Sequence, residues 1–215
     1  MDEIVKVRNY FQRRAAKFDS YYFKDKPRLW QILDYLFRQS MHQRFVRTIE
    51  EVAKLKNPTV LDVGCGAGRY SVALARMGIT SILGVDFSQP MISRARKIAQ
   101  SSGVDKNCGF ICGDFLEHQF MGMFDVIIAT GFFDYLKDPR AHLSKIRYLT
   151  LKKAIMTFPS RWHLRNLIRK IRLTFLHCPV YFYDRSQIEK LLKQANFEDF
   201  RIENLGRDYF VVANA

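Results

Sequence analysis

Long apolar runs are missing from this sequence. None approaches the roughly 20 residues that a helix needs to span a bilayer, and the opening Met-Asp-Glu-Ile-Val-Lys lacks the apolar stretch of a secretory signal. Cysteine is scarce as well, because the four cysteines form no CxxC pair and are too few for a disulfide framework. We therefore expect a cytoplasmic protein that has free thiols and binds no metal ion.

Acidic residues are absent from a long stretch of the second half. Residues 139–183 contain no Asp or Glu but hold ten basic side chains, and the whole chain has a formal net charge of +14. A field of this sign favours anionic partners such as nucleic acid, an acidic protein, a phosphorylated substrate or an anionic membrane surface. A solvated basic face with no partner would have the same composition. The sequence leaves both interpretations open.

The pattern of apolar residues changes near residue 55. Before it, helices are predicted over 3–17 and 27–54, the second because apolar side chains recur at helical spacing. After it, strands are predicted over residues 59–63, 81–87, 109–112, 124–129, 154–158, 200–204 and 209–213. Helices alternate with them at 67–77, 91–100, 139–148, 162–175 and 186–195. The alternation indicates an α/β fold with a parallel sheet between helices, and such sheets bind ligands beyond the carboxyl ends of their strands.

A glycine-rich loop follows the first predicted strand. Gly64, Gly66 and Gly68 stand at alternate positions, where glycine lets the backbone turn sharply and approach a ligand. Asp86 ends the second strand, 18 residues after Gly68, and could accept hydrogen bonds from two ribose hydroxyls. The GxGxG spacing differs from the GxGxxG of dinucleotide-binding loops, and a pyrophosphate would disfavour the nearby carboxylate of Asp62. A nucleoside cofactor that carries an ammonium group would tolerate it.

Four motifs together resemble those of one enzyme family. The loop over 62–68 is similar to motif I of the class I S-adenosylmethionine-dependent methyltransferases, and GVDFS at 84–88 is similar to their acidic motif. GDF at 113–115 and FDVIIAT at 124–130 resemble the third and fourth motifs, in the family's order. The resemblance implies S-adenosylmethionine as the cofactor. It also implies a Rossmann-like seven-stranded sheet, mostly parallel with a C-terminal antiparallel hairpin, with helices on both faces and an N-terminal helical lid.

The same resemblance implies roles at the nucleoside end of the cofactor. Asp86 would bind the ribose, and Phe87 would pack on the adenine. Asp114 would contact the adenine amino group, with Phe115 beside the ring. Met91 would cover the adenine, or alternatively belong to ordinary core packing.

Other residues would hold the methionine end. The three glycines of the loop would line this part of the cofactor, and Asp62 stands two residues before the first of them. Thr130 and Gly131, after the fourth strand, would border the sulfonium. These assignments place both ends of the cofactor along the carboxyl ends of the first four strands.

The N-terminal residues resemble a lid. Residues 10–22 are similar to the segment that precedes the core in small-molecule O-methyltransferases of the ubiquinone-pathway and magnesium-protoporphyrin type. There an aromatic side chain shields the sulfonium, a role that Tyr21 or Tyr22 could take through a cation–π contact. The helix could instead pack on the sheet, and the two roles are compatible. We expect residues 1–55 to form the lid or cap and residues 56–215 the core, with a basic helical insertion at about 160–183.

The general base is the least determined part of the site. Relatives often carry a His in the stretch that corresponds to 132–136, where this chain has Asp134 and Tyr135. His42 and His163 are further candidates, and a tyrosine is a poor base near neutral pH because its pKa is about 10. Each of the four could also be purely structural.

The acceptor is constrained by missing motifs and by the basic stretch. No Asn/Asp-Pro-Pro-Tyr/Phe motif follows the fourth strand, no Pro-Cys pair serves a cytosine nucleophile, and no RNA-binding module is recognisable. The helix over 161–175 could contact an anionic membrane, present arginines to an anionic substrate, or simply pack on the domain. We therefore expect methyl transfer to a small-molecule, anionic or neutral, acceptor through its hydroxyl or carboxylate. An RNA or acidic carrier-protein acceptor and a non-catalytic cofactor-binding role are the alternatives.

Overall fold

Seven strands form one sheet in the computed structural model. It describes residues 5–7, 9–10, 28–161, 163, 166, 173–176 and 178–215, with the side chains of 28–40 left out. The strands, in chain order, are β1 (Val60–Val63), β2 (Ile82–Asp86), β3 (Cys108–Cys112), β4 (Phe124–Ala129), β5 (Thr150–Pro159), β6 (Phe200–Asn204) and β7 (Asp208–Asn214). Their order across the sheet is β3-β2-β1-β4-β5-β7-β6.

The strand order creates a crevice for a ligand. The pairs β1–β2, β2–β3, β1–β4 and β4–β5 are parallel, whereas β7 pairs antiparallel with both β5 and β6. The chain builds the sheet outward from β1 to β3, then crosses back to place β4 on the other side of β1. Ligands bind at such a reversal, beyond the carboxyl ends of the strands. The predicted mixed sheet with a C-terminal antiparallel hairpin is confirmed.

Helices cover both faces of the sheet. The helices are α1 (Arg28–Ala53), α2 (Arg69–Arg76), α3 (Gln89–Ser101), α4 (Arg140–Leu149) and α5 (Arg185–Gln194). One apolar cluster joins α1, α2 and α3 to alternate strand residues such as Val126 and Ile128. The other joins α4 and α5 to the intervening residues Ile127 and Ala129. This alternation follows from the two-residue period of strands and makes β4 an apolar run that is buried on both sides.

Most element boundaries lie within two residues of the sequence prediction, and the starts of β5 and α2 differ from it for physical reasons. Strand β5 begins at Thr150 and not at 154, because its polar first residues still find partners: the Thr150 hydroxyl donates to the Ile146 carbonyl, and Lys153 pairs with Glu51. Helix α2 begins at Arg69 and not at 67, because Gly66 and Gly68 have positive φ angles.

Several expectations concern residues that are sparsely described. Apart from Tyr10, the predicted lid over 10–22 lies outside the described residues, and so does most of the basic helix over 162–175. The division into residues 1–55 and 56–215 stays a prediction. No helix within the described part of the chain combines the length and apolar character needed to cross a membrane.

A buried carboxylate fixes the end of α1 to the sheet. Glu51, 5% exposed, accepts hydrogen bonds from Lys54, from Lys153 of β5 and from Arg201 of β6. Burial alone would raise the pKa of Glu51, but the hydrogen bonds of Lys54 and Arg201 outweigh it and lower the pKa to about 2. Glu51 is therefore charged at all ordinary pH values and anchors α1 over the amino end of β5.

Replacing this carboxylate should destabilise the fold in a pH-dependent way. Glu51→Gln leaves Lys153 and Arg201 without their anion, so we expect the free energy of unfolding at pH 7 to fall by about 1–3 kcal/mol. Because the folded pKa of about 2 lies below the ordinary 4.5, the contribution of Glu51 is complete above pH 4.5 and is lost towards pH 2. Urea unfolding should show a smaller difference in the free energy of unfolding between the wild type and Glu51→Gln at pH 3 than at pH 7. The control is Glu50→Gln, which removes an exposed acid paired with Arg47; equal loss in both variants would refute the anchor.

Candidate functional site

The loop after β1 has the backbone that close ligand approach requires. Gly64, Gly66 and Gly68 have φ angles of 67°, 53° and 76°, in the left-handed region that side chains disfavour. A Cβ on Gly64 would lie 2.8 Å from the ring of Phe132, whereas a Cβ on Gly66 would have no atom within 4 Å. The loop is therefore closed on the side of Gly64 and faces open space at Gly66.

Asp62 supports this loop from beneath. Its Oδ2 accepts a 2.7 Å hydrogen bond from the Ser71 hydroxyl, in the first turn of α2. The N-cap residue of α2 is Gly68, which has no side chain to satisfy the first turn, so the Asp62 carboxylate takes that role from the neighbouring strand. Burial raises the pKa of Asp62 to about 6 against the opposing hydrogen bonds of Ser71. The observed partner of Asp62 is thus Ser71 of α2. A contact between Asp62 and the cofactor stays a prediction.

Asp86 joins two loops of the site. Its Oδ2 accepts from the Gly66 N–H at 3.0 Å, and its Oδ1 accepts from the Ser88 N–H at 2.8 Å. Burial raises the pKa of Asp86, and the two backbone donors oppose that rise. Each carboxylate oxygen can accept a second hydrogen bond, so the ribose role predicted for Asp86 is compatible with these contacts.

The residues after β3 are held by α4. Asp114 Oδ1 accepts from the Leu116 N–H at 2.7 Å and forms a local turn. Lys145 donates to the Leu116 and His118 carbonyls at 2.8 and 2.7 Å. Phe115 is buried in the core, so it lies beneath the loop and supports it.

An aromatic group extends this support towards β4. The rings of Phe115 and His142 stack with centroids 6.4 Å apart, and Phe132 lies 5.5 Å from His142. Burial lowers the pKa of His142, although the Asp114 carboxylate opposes the shift. His142 is therefore neutral at neutral pH and packs as part of the floor of the site. Met91 is also buried, in α3, which agrees with its packing role.

Three chain segments meet where β4 ends. The Gly131 N–H donates to the Thr157 hydroxyl of β5 at 2.8 Å. Arg44, from α1, lies so close that a Cβ on Gly131 would be 3.3 Å from its Nη2 and 3.4 Å from its Nη1. The same guanidinium pairs with Asp208, the first residue of β7, at 3.5 Å. Sequence reasoning missed Arg44 because no motif marks it and its partners are distant in the chain.

Two predicted base candidates lie together in a short 3-10 turn. Asp134 and Tyr135 belong to the turn Phe133–Tyr135; Asp134 is only 3% exposed, and Tyr135 is half-buried. The Tyr183 hydroxyl donates to the carbonyls of Phe133 and Leu136 at 3.3 and 3.0 Å and so pins the turn. Burial raises the pKa of Tyr183, which keeps this hydroxyl protonated as the donor.

An apolar cap cluster gathers residues from distant parts of the chain. It comprises Val7, Tyr10, Phe87, Tyr135, Leu173, Leu176, Cys178, Val180 and Phe182. The N-terminal segment, the end of β2, the turn after β4 and the basic insertion all contribute to it. Phe87 thus packs in this cluster, at the carboxyl end of the sheet where a ligand is expected.

The remaining predicted residues are dispersed. The His163 ring lies 3.9 Å from the position of a Cβ on Gly206, in the turn between β6 and β7, while His42 is exposed on α1. Arg161 is exposed and pairs with Asp184 at 3.7 Å. Tyr22 lies outside the described residues, and so do Arg165, Arg169 and Arg172 of the predicted basic helix. Among the residues that the structure describes, no group of three or more His, Cys, Asp or Glu side chains could hold a metal ion.

A buried hydroxyl beside these loops has no hydrogen-bond partner among the described residues. It is Ser88 Oγ, at the start of α3. The buried Thr130 hydroxyl at the end of β4, by contrast, interacts with the Tyr70 side chain. Buried hydroxyls usually have partners, so Ser88 Oγ is available to a ligand. Together with the open face at Gly66, it fits a polar nucleoside cofactor that lies across the ends of β1 and β2.

Known proteins are similar to this chain in part of its sequence and in its fold. A family model described as a methyltransferase domain matches residues 54–199. The ubiquinone biosynthesis O-methyltransferase of Pseudomonas paraeruginosa is 35% identical over 94 residues, covering 44% of this chain and 40% of that protein. The tRNA U34 carboxymethyltransferase of Actinobacillus succinogenes is 26% identical over 104 residues, covering 48% of this chain and 32% of that protein. The chain thus spans less than half the length of these two relatives.

A solved structure extends the similarity over the whole fold. Magnesium protoporphyrin IX methyltransferase from Synechocystis PCC 6803, crystallised with S-adenosylhomocysteine (SAH), superposes with a TM-score of 0.80 and 21% identity, covering 99% of both chains. At this identity the superposition shows the fold. The family model covers more than half of the chain and carries the assignment. The chain therefore belongs to the methyltransferase domain family, and its fold is the Rossmann-like fold of the S-adenosylmethionine-dependent methyltransferases.

Proposed function

We propose that the protein transfers a methyl group from S-adenosylmethionine to the hydroxyl or carboxylate of a small-molecule acceptor. The observation that carries the proposal is the glycine loop, which is open at Gly66 and tied through the Gly66 N–H to the carboxylate of Asp86. The family assignment agrees with this use of the loop. S-adenosylmethionine, when bound, supplies a methyl group activated for displacement by its sulfonium.

The described residues fit the two ends of this cofactor. At the nucleoside end, the second lone pairs of Asp86 would accept the ribose hydroxyls, and Asp114 and Phe87 would flank the adenine. At the methionine end, the Arg44 guanidinium beside Gly131 is suited to a carboxylate, because Arg matches the planar geometry of that group. The buried hydroxyl of Thr130, which interacts with Tyr70, would add a polar contact between the two ends.

The chain contributes to the reaction mainly by positioning. An in-line displacement with a good leaving group gains most from correct orientation, which is worth effective molarities of about 10⁵–10⁸ M. The cap cluster would cover the reacting groups and exclude water. Asp134, Tyr135 and His163 remain the proposed candidates for deprotonating the acceptor. Of these, Asp134 and Tyr135 follow directly after the strand that borders the methionine end.

The acceptor is proposed from the surroundings of the site. Aromatic and aliphatic side chains of the cap cluster favour an apolar body, while the excess of basic residues in 139–183 favours an anionic group. The ubiquinone biosynthesis enzyme among the relatives is named for a small-molecule pathway. Contact of the stretch 161–175 with an anionic membrane surface remains part of the proposal.

A macromolecular acceptor is the second candidate. The net charge of +14 would favour RNA or an acidic carrier protein, and one relative is named for its action on tRNA. The absence of a recognisable RNA-binding module and of the Asn/Asp-Pro-Pro-Tyr/Phe motif favours the small-molecule reading.

Cofactor binding should depend on Asp86. Asp86→Asn turns one acceptor oxygen into a donor that faces the N–H of Gly66 or Ser88, so we expect the affinity for SAH to fall by about 1–3 kcal/mol. Titration calorimetry measures this, and NAD should give no binding to the wild-type protein. Asp105→Asn is the control, because it removes an exposed acid that precedes β3, at the opposite end of the sheet. Unchanged SAH affinity in Asp86→Asn would remove Asp86 from the site.

Labelled cofactor should identify the acceptor class. We expect incubation with methyl-labelled S-adenosylmethionine and bacterial extract to label a small molecule in the lipid and metabolite fractions. Mass spectrometry would then report a mass increase of one methyl group on a hydroxyl or carboxylate. Purified RNA and acidic protein fractions are the parallel arms. Label that accumulates in RNA or protein alone would establish the macromolecular candidate, and binding without transfer in any fraction would support a non-catalytic protein.

A further inference from the structure

We propose that Asp208 is a positioning residue that acts through Arg44 to select ligands with a carboxylate. The inference rests on the proposed function, because it takes the methionine end of the cofactor to lie beside Gly131. It adds the terminal hairpin β6–β7 to the elements that build the site. No motif of the cofactor loops includes Asp208, which begins the last strand of the sheet.

The ion pair is buried enough to fix a geometry. Arg44 Nη1 lies 3.5 Å from Asp208 Oδ2, and the two side chains are 16% and 3% exposed. Exposed pairs of this kind contribute little because solvent screens them and both side chains lose entropy. Here the surroundings already restrict both groups, so the carboxylate determines where the guanidinium lies.

The position of Asp208 is itself rigid. The backbone of Asp208 pairs with Pro159 at the carboxyl end of β5, next to the end of β4. The preceding turn is closed by the Leu205 N–H, which donates to the Asp208 carbonyl at 2.9 Å. Asn166 of the insertion donates to the Arg207 carbonyl at 2.9 Å and to the Ser160 carbonyl at 2.7 Å. Asp208 therefore belongs to a frame that the sheet holds in place.

Gly131 explains how the guanidinium reaches the site. Nη2, Nη1 and Cζ of Arg44 would lie 3.3, 3.4 and 3.6 Å from a Cβ on Gly131, so the two terminal nitrogens of the guanidinium are the atoms nearest to the space that glycine leaves empty. Nη1 pairs with Asp208, and Nη2 is the guanidinium atom nearest to Gly131 at the end of β4. A flexible Arg side chain is thereby ordered before a ligand binds, which lowers the entropic cost of recognition.

A pair of ligands separates this role from general stability. SAH and 5′-methylthioadenosine share the adenosine and the sulfur, but only SAH carries the amino-acid group. We expect Asp208→Asn to weaken SAH binding about tenfold and to leave 5′-methylthioadenosine binding unchanged, as measured by calorimetry on the full chain. A merely structural role would weaken both ligands equally. Equal weakening, or no weakening of either, would overturn the inference.

The double variant tests whether Asp208 acts through Arg44. If it does, Asp208→Asn has no further effect on the ratio of the two affinities in an Arg44→Gln background. A tenfold effect that persists there would mean that Asp208 contacts the ligand directly, and the inference would be wrong. Glu203→Gln is the matched control, because Glu203 of the same hairpin pairs with Arg47 of the same helix at 3.3 Å on the exposed surface. In Glu203→Gln, the ratio of the affinities for SAH and 5′-methylthioadenosine should equal that of the wild type.

Two further outcomes remain decisive. Should Asp208→Asn fail to fold, Asp208→Glu keeps the charge but displaces the carboxylate by one methylene group. We then expect the preference for SAH to fall by at least about threefold, and an unchanged preference would overturn the inference. A wild-type protein that binds neither ligand would refute the proposed cofactor site as a whole, whereas wild-type SAH binding with an unchanged ratio in the variants refutes only the role of Asp208.

Discussion

The carboxylate of Asp86 accepts one hydrogen bond from the Gly66 N–H and another from the Ser88 N–H, so it joins the loops that follow β1 and β2. Both loops must leave the sheet sharply for a nucleoside to lie across the strand ends, and the Asp86 carboxylate holds one backbone N–H of each loop. Desolvating this acid costs energy and raises its pKa, and the two N–H donors offset part of that cost. The open face at Gly66 exists because Asp86 holds the loop from one side while Phe132 closes it at Gly64.

Electrostatic contacts extend this arrangement to α1. Glu51 fixes the end of that helix to β5 and β6, and Arg44 lies two turns earlier on the same helix, beside Gly131. Residues seven apart share one helix face, so the anchor and the site residue are placed by one rigid element. The buried Thr48 lies between them, and its hydroxyl donates a 2.7 Å hydrogen bond to the Arg44 carbonyl, so this polar side chain has a partner on the buried face of α1. The methionine end of the proposed site thus depends on a helix that no cofactor motif includes.

The sequence predicted the parts of the site that short-range backbone chemistry determines. The glycine loop, the position of Asp86 at the end of β2 and the parallel pairing of the strands follow from local residues. A sharp turn needs glycine, and alternating strands and helices favour a parallel sheet whose loops lie at one end. The sequence predicts Asp62 at the cofactor, whereas its observed partner is Ser71 on α2. Residue spacing alone does not show whether an acid beside a glycine loop contacts the ligand or the following helix. Arg44 was missed because its contact joins α1, the end of β4 and the start of β7, which are far apart in the chain.

The contrast between local patterns and contacts of distant chain segments explains why the cofactor is easier to infer from the sequence than the acceptor. A nucleoside is recognised by loops that directly follow strands, so its site leaves a compact pattern of glycines and acids in the sequence. The proposed acceptor side is the cap cluster, to which the N-terminal segment, the end of β2 and the insertion contribute one or a few side chains each. Apolar side chains in such a cluster are interchangeable if their volume is kept. Selection for a particular acceptor can therefore change the cap without changing the loops, and a methyltransferase core keeps its cofactor while its acceptor varies.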